Sequence, residues 1–189
     1  MRRIISKFIR LLEKLNNWIR NFLRIAYLNL KYPHLRIDFK SKIQKNCNII
    51  CVDGGSMIIK GSSIAEGTHL FADMNGSLQI TNSIIGRFSC IVAKKQIIIN
   101  SGCAIAEMVV IRDQDHKIDT QADTDAFSSY STGSIIIGQN VWIASKVTIL
   151  KNVSIGDYVV IAASAVVNKS IPSYELWAGV PAKFVKHVH

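Results

Sequence analysis

Residues 137–167 read IGQNVW IASKVT ILKNVS IGDYVV IAASAV V. Ile137, Ile143, Ile149, Ile155, Ile161 and Val167 recur at six-residue steps without a slip. Each block opens on an aliphatic residue, often follows it with Gly or Ala, and places Val or Ala at its fifth position. Neither a helix nor an alternating strand has a period of six. A triangular coil does. Three short strands make one turn of about eighteen residues, with the aliphatic residue pointing inward and small residues filling the corners. Turns stacked about 4.8 Å apart then bury a continuous aliphatic column.

Working outward, the same cadence appears in IDFKSK from Ile37, IQKNCN from Ile43, IGRFSC from Ile85, INSGCA from Ile99 and IAEMVV from Ile105. Slips are expected around residues 52–62, 72–84 and near 97. The fold class is therefore mainly β, a parallel β-helix domain over residues 37–189 that ends in a C-terminal tail at 173–189, with an appendage at residues 1–36. At 189 residues the chain is long enough for one domain with a substantial core plus that appendage. Its apolar residues are chiefly the β-branched Ile and Val, which favour strands.

The net charge of +10 is lopsided. Residues 1–36 hold nine Lys/Arg against Glu13 alone, whereas the rest of the chain holds fourteen Lys/Arg and twelve Asp/Glu. Charge confined to one end, without interleaved stacking aromatics on the repeat, argues against nucleic acid as a partner. Within the opening segment Ile5, Phe8, Leu12, Leu15, Ile19, Phe22 and Ala26 follow helical steps, widened by Ile4, Leu11, Trp18 and Leu23. Arg3, Lys7, Arg10, Lys14, Asn17, Asn21 and Arg24 are expected opposite, and Pro33 ends the helix. Such a helix suits an anionic membrane surface, through residues 1–30. Packing on the body or on a neighbouring subunit is the competing expectation, and different parts of the helix can do each.

Cys47, Cys51, Cys90 and Cys103 form no CxxC pair and read as structural thiols of a reducing compartment. No metal-ligand cluster stands out. Neither a secretory signal nor an uninterrupted apolar span is apparent, so the expected location is cytoplasmic, at the inner face of the membrane if the helix binds lipid.

The hexapeptide blocks, followed by IPSYELWAGVPAKFVK, resemble the left-handed β-helix acyltransferases. The similarity is to the branch of maltose and galactoside O-acetyltransferases and the capsule and lipopolysaccharide O-acetyltransferases. It runs over roughly residues 37–186 and is most specific over 134–186. The resemblance implies left-handed coiling, a homotrimer, acetyl-CoA as donor and active sites in clefts between neighbouring prisms.

Between Ile111 and Ile135 the repeat stops at RDQDHKIDTQADTDAFSSYSTGS, an extended loop over 113–134. A coil tolerates such an excursion where the chain leaves at a corner, and long loops in compact domains are often functional. His116 stands at its exit. By resemblance, a histidine at this juncture is the general base. A sugar hydroxyl must lose its proton to attack a thioester, and imidazole titrates near neutrality. A neighbouring carboxylate can fix the imidazole tautomer. Of Asp113 and Asp115, Asp113 is the residue expected to meet the acceptor sugar.

The resemblance also assigns the donor side. Trp142, one residue before the inward Ile143, should face outward to the acceptor or the pantetheine arm. The backbone at Ala144–Ser145 is the expected oxyanion donor, Ala163 a pantetheine contact, Asn168 and Lys169 the nucleotide end, and Lys183 the CoA phosphates. No nucleophile elbow or Cys–His–acid pattern suggests a covalent route, so direct transfer is expected. The function implied is O-acetylation of a cell-surface polysaccharide or its precursor. The alternatives are N-acetylation of a nucleotide-linked amino sugar, which needs the same base, and a non-catalytic β-helix scaffold.

Overall fold

A computed structural model describes residues 2–117 and 129–188. One helix, α1 (Arg2–Lys31), precedes a left-handed parallel β-helix that begins with the strand Leu35–Ile37, slightly ahead of the expected boundary. Three parallel sheets form the faces of the prism. On the first face Ile37, Ile59, Ile80, Ile99, Ile137 and Ile155 lie in register. On the second, Ile43, Ile64, Ile85, Ile105, Ile143 and Ile161 do so. Ile49, Leu70, Ile91, Ile111, Ile149 and Val167 complete the third. None of these side chains is more than 4% exposed. They form the buried column that the repeat predicts.

The slips have a simple origin. Early turns are longer between the third and first faces: Ile49 to Ile59 and Leu70 to Ile80 are ten residues apart, against six from Ile149 to Ile155. The third face adds Cys51, Ala72 and Ala93 beside Ile49, Leu70 and Ile91. At the corner between the first and second faces, which Ile59 to Ile64 and Ile80 to Ile85 turn one residue short of six, a serine ladder links successive turns. Ser41 Oγ accepts from Ser62 N–H, Ser62 Oγ from Ser83 N–H, and Ser83 Oγ from Cys103 N–H, at 3.1–3.2 Å. Later corners turn through left-handed backbone at Asn140, Lys146, Asn152, Tyr158 and Ser164, with φ of 55–61°. Non-glycine residues resist that conformation by about 1–2 kcal/mol each. Hydrogen bonds between turns compensate, as Lys146 N–H donates to Glu107 C=O and Ser164 N–H to Ser145 C=O. The four cysteines are free, and burial raises the thiol pKa of Cys47, Cys51 and Cys103.

A coil has two open ends, and each is covered. At the start, Asn29 Oδ1 accepts from Ile37 N–H while its Nδ2 donates to Ile37 C=O. Asn21 does the same for Ile43 N–H and Ser41 C=O, and Arg24 bonds Ile43 C=O. Ile25 is fully buried between them. This differs from the sequence expectation, which set Asn21 and Arg24 on a solvent face. Edge-strand amides demand partners more strongly than the apolar stripe demands continuity. At the far end Glu175–Ala178 adds a parallel strand beside Val160–Ile161, and Lys183–His187 folds back antiparallel to it.

Truncating the column should be costly only on the inner side of a strand. Ile80→Ala should lower the unfolding free energy by about 2–4 kcal/mol in urea titration, while its exposed neighbour Gln79→Ala should change it by less than about 0.5 kcal/mol.

Candidate active site

The long excursion is rooted in a hairpin that the sequence did not announce. Gln114–His116 pairs antiparallel with Tyr130–Thr132, placing His116 opposite Tyr130. Lys117 N–H donates to Ser129 C=O at 2.9 Å, and Gly133 N–H closes the base on Asp113 C=O at 2.7 Å. Residues 118–128 of the expected loop lie outside the described residues.

Asp113 fixes this hairpin to the prism. Its side chain is fully buried, and its carboxylate accepts from the N–H groups of Lys94, Lys95 and Gln96 at 2.7–2.8 Å. Those amides turn the corner of the preceding coil. The expectation that Asp113 meets an acceptor sugar is therefore corrected: its oxygens are committed to backbone N–H groups beneath the surface. Asp115 is the exposed one of the pair, and its carboxylate bonds Lys151 Nζ at 2.9 Å. The same ammonium donates to Ser131 Oγ at 2.9 Å, which ties the hairpin to a later turn.

Beneath the hairpin is a cavity of about 410 Å³, within the usual range for small-molecule sites. His116 lines it, its ring 4.5 Å from that of Tyr130 and tilted by 41°. The floor is the outer surface of the third face. Phe71, Val92 and Arg112 are in register there, with His69 on the same strand as Phe71. In the sequence His69 has no loop setting to mark it. Period-two alternation points it outward, but only the turn-to-turn register brings it under His116. Burial, and secondarily the charge of Arg112, lowers the His69 pKa below the ordinary histidine value. Lys94 occupies the side wall, bonded to Asp73 at 2.7 Å and lying 4.3 Å from the Tyr130 ring centre. Among the described residues no cluster of metal-ligating side chains occurs.

The donor-side residues lie elsewhere on the chain. Trp142 is on the outer surface of the second face and 55% exposed. Ala144, Ser145 and Ala163 follow at the corner between the second and third faces, where successive turns are joined by the Ser164–Ser145 bond. Ala144 N–H already donates to Ile161 C=O at 2.9 Å, so Ala144 is corrected as an oxyanion donor. Ser145 N–H stands outside that ladder. Asn168 and Lys169 are exposed just beyond the last third-face strand, and Lys183 is exposed in the terminal hairpin. None of these residues lines the His116 cavity.

Asp113→Ala should strand three part-buried N–H groups and leave a void at a fully buried position, lowering stability by about 2–3 kcal/mol. In thermal unfolding the loss should be large, whereas a sugar-contacting carboxylate would instead show as a raised acceptor KM in a protein of unchanged stability.

Residues 134–169 match the bacterial transferase hexapeptide (six repeats) family. The putative lipopolysaccharide biosynthesis O-acetyl transferase WbbJ of Escherichia coli K12 is 30% identical over 156 residues, covering 75% of this chain and 80% of that protein. Among solved structures, a mutant of the Bacillus cereus N-acyltransferase AntD, bound to dTDP-4-amino-4,6-dideoxyglucose and coenzyme A, superposes with a TM-score of 0.70. That match has 19% identity and covers 86% of this chain and 89% of AntD, so it speaks to fold. The polySia-specific acetyltransferase NeuO gives 0.52 at 26% identity, covering 81% of this chain and 66% of NeuO. With the repeats, the coil and a relative matched over most of both chains in agreement, this chain belongs to the hexapeptide-repeat acyltransferase family.

Proposed function

We propose that the chain is an acetyl-CoA-dependent O-acetyltransferase acting, as a homotrimer, on a hydroxyl of a cell-surface polysaccharide or its precursor. The observation that carries this reading is His116, held on a hairpin rooted in the rigid coil and lining a cavity of saccharide scale. In the reaction, the acceptor hydroxyl oxygen attacks the thioester carbonyl carbon as the His116 imidazole takes its proton. Collapse of the tetrahedral intermediate breaks the carbon–sulfur bond, and the imidazolium returns the proton to the departing CoA thiolate. Ser145 N–H is the assigned donor to the oxyanion. Trp142, Ala144 and Ala163 form the pantetheine wall, with Asn168, Lys169 and Lys183 at the nucleotide end.

His116 and the donor groups occupy different faces of one chain, which supports a site completed by a neighbouring subunit. Likeness to WbbJ favours O-acetylation of a surface glycan. The closer superposition on AntD keeps N-acylation of a nucleotide-linked amino sugar as a second reading. Free-thiol release from acetyl-CoA should depend on a glycan acceptor and fall by about 100-fold or more in His116→Ala. Release with amino-sugar nucleotides alone would favour the second reading. Neither release nor acetyl-CoA binding would make the protein a scaffold.

The outer part of α1 is assigned to the cytoplasmic face of the membrane. Phe8, Leu11, Leu12, Leu15 and Trp18 are 49–62% exposed, ahead of the segment that caps the coil. Lys7, Arg10, Lys14 and Arg20 accompany them, with Glu13 as the acid of the helix. No described helix is long and apolar enough to cross a bilayer, so the fitting partner is an anionic lipid surface. The protein should co-sediment with phosphatidylglycerol-containing vesicles but not with pure phosphatidylcholine, and high salt should release it. Paired Leu12→Glu and Leu15→Glu substitutions should abolish sedimentation while leaving the oligomer intact. Dissociation of the oligomer would instead assign the stripe to a subunit interface.

A further inference from the structure

The charges around the His116 cavity do not balance. Lys94 is neutralised by Asp73 at 2.7 Å, and Lys151 by Asp115 at 2.9 Å. Arg112 has no such partner among the described residues. Its guanidinium is turned back along the floor toward Cys90 Sγ at 3.8 Å, a weak acceptor. The nearby Asp113 carboxylate is closed off by three backbone amides and is unavailable to it.

The groups around this cation are suited to a sugar. Phe71 and Tyr130 provide aromatic surface, and His69 stacks on Phe71 with ring centres 5.8 Å apart. Gln114, only 6% exposed, forms part of the wall, and its Oε1 has no hydrogen-bond donor among the described residues. An unneutralised guanidinium beside it calls for a planar or tetrahedral oxyanion, which it can hold through paired N–H donors.

We propose that Arg112 forms an anion subsite of the acceptor cavity, so that the preferred acceptor is an acidic saccharide carrying a carboxylate or phosphate. The proposal rests on reading this cavity as the acceptor site. In that role Arg112 is a specificity-determining residue that holds the sugar for His116. Phe71 and Tyr130 border the ring. Transfer itself still requires only the base, the thioester and the oxyanion donor.

The test is a binding titration of the full-length protein, followed through the imidazole C–H resonances of His69 and His116 by NMR. The probes are D-glucuronate, D-glucose 6-phosphate and D-glucose. One or both anionic sugars should shift the His69 signals at concentrations where glucose does not, and added salt should weaken the effect. Which of the two binds separates carboxylate from phosphate recognition. Arg112→Gln should weaken anionic-sugar binding by about tenfold or more, while Arg112→Lys retains part of it. Circular dichroism should be unchanged, because this outward side chain contributes nothing to the column. Equal responses to glucose and glucuronate, or undiminished binding by Arg112→Gln, would overturn the proposal. The titration needs no acetyl-CoA. Anion binding without acetyl transfer would therefore count against the catalytic reading and leave the subsite standing.

Discussion

Every strand in this coil completes its hydrogen bonds on the turns above and below, while one or two inward side chains on each face set the width of the prism. That constraint governs the remaining structure. A residue can be added at a corner or on an outer surface, but not within the stack. The longer early turns obey it by adding a second inward residue, Cys51, Ala72 or Ala93, on the third face, and the serine ladder supplies polar partners at the corner after the first face. Both ends must also be closed, which explains why Asn21 and Asn29 on α1 engage the first strands and why the chain returns as a hairpin at the other end.

The same constraint positions the chemistry. The chain leaves the prism at a corner, and the buried Asp113 carboxylate binds the departing segment to the three amides of the corner beneath. His116 is three residues farther on, paired across the hairpin with Tyr130. The proposed base is thus carried by a segment whose root is as fixed as the coil. The floor below it is built by register: Phe71, Val92 and Arg112 are far apart in sequence but adjacent in successive turns. Arg112 directs its charge into that floor, whereas Lys94 and Lys151 are spent on holding neighbouring segments together.

The repeat and the exit of the long loop were legible because period six is an unusual signature and His116 interrupts it. The composition of the cavity floor was not. Recognising His69 and Arg112 requires knowing how many residues each turn contains, and the early slips obscure that number. Asp113 shows a second limit. A carboxylate beside a histidine suggests substrate contact, yet alternation along the strand and unsatisfied corner amides draw it inward. Asn21 and Arg24 fit the polar side of a helical wheel, but a wheel has no knowledge of the coil edge waiting for donors and acceptors.

In the proposed reaction centre the base belongs to one chain and the donor wall to its neighbour. Co-expression of two inactive variants, His116→Ala and Ala163→Trp, tests this most directly. Random assembly into trimers should restore about a quarter of wild-type acetyl transfer, since that fraction of interfaces would pair an intact base with an intact donor wall. Mixed trimers as inactive as either parent would contradict the shared site and place the whole reaction within a single chain.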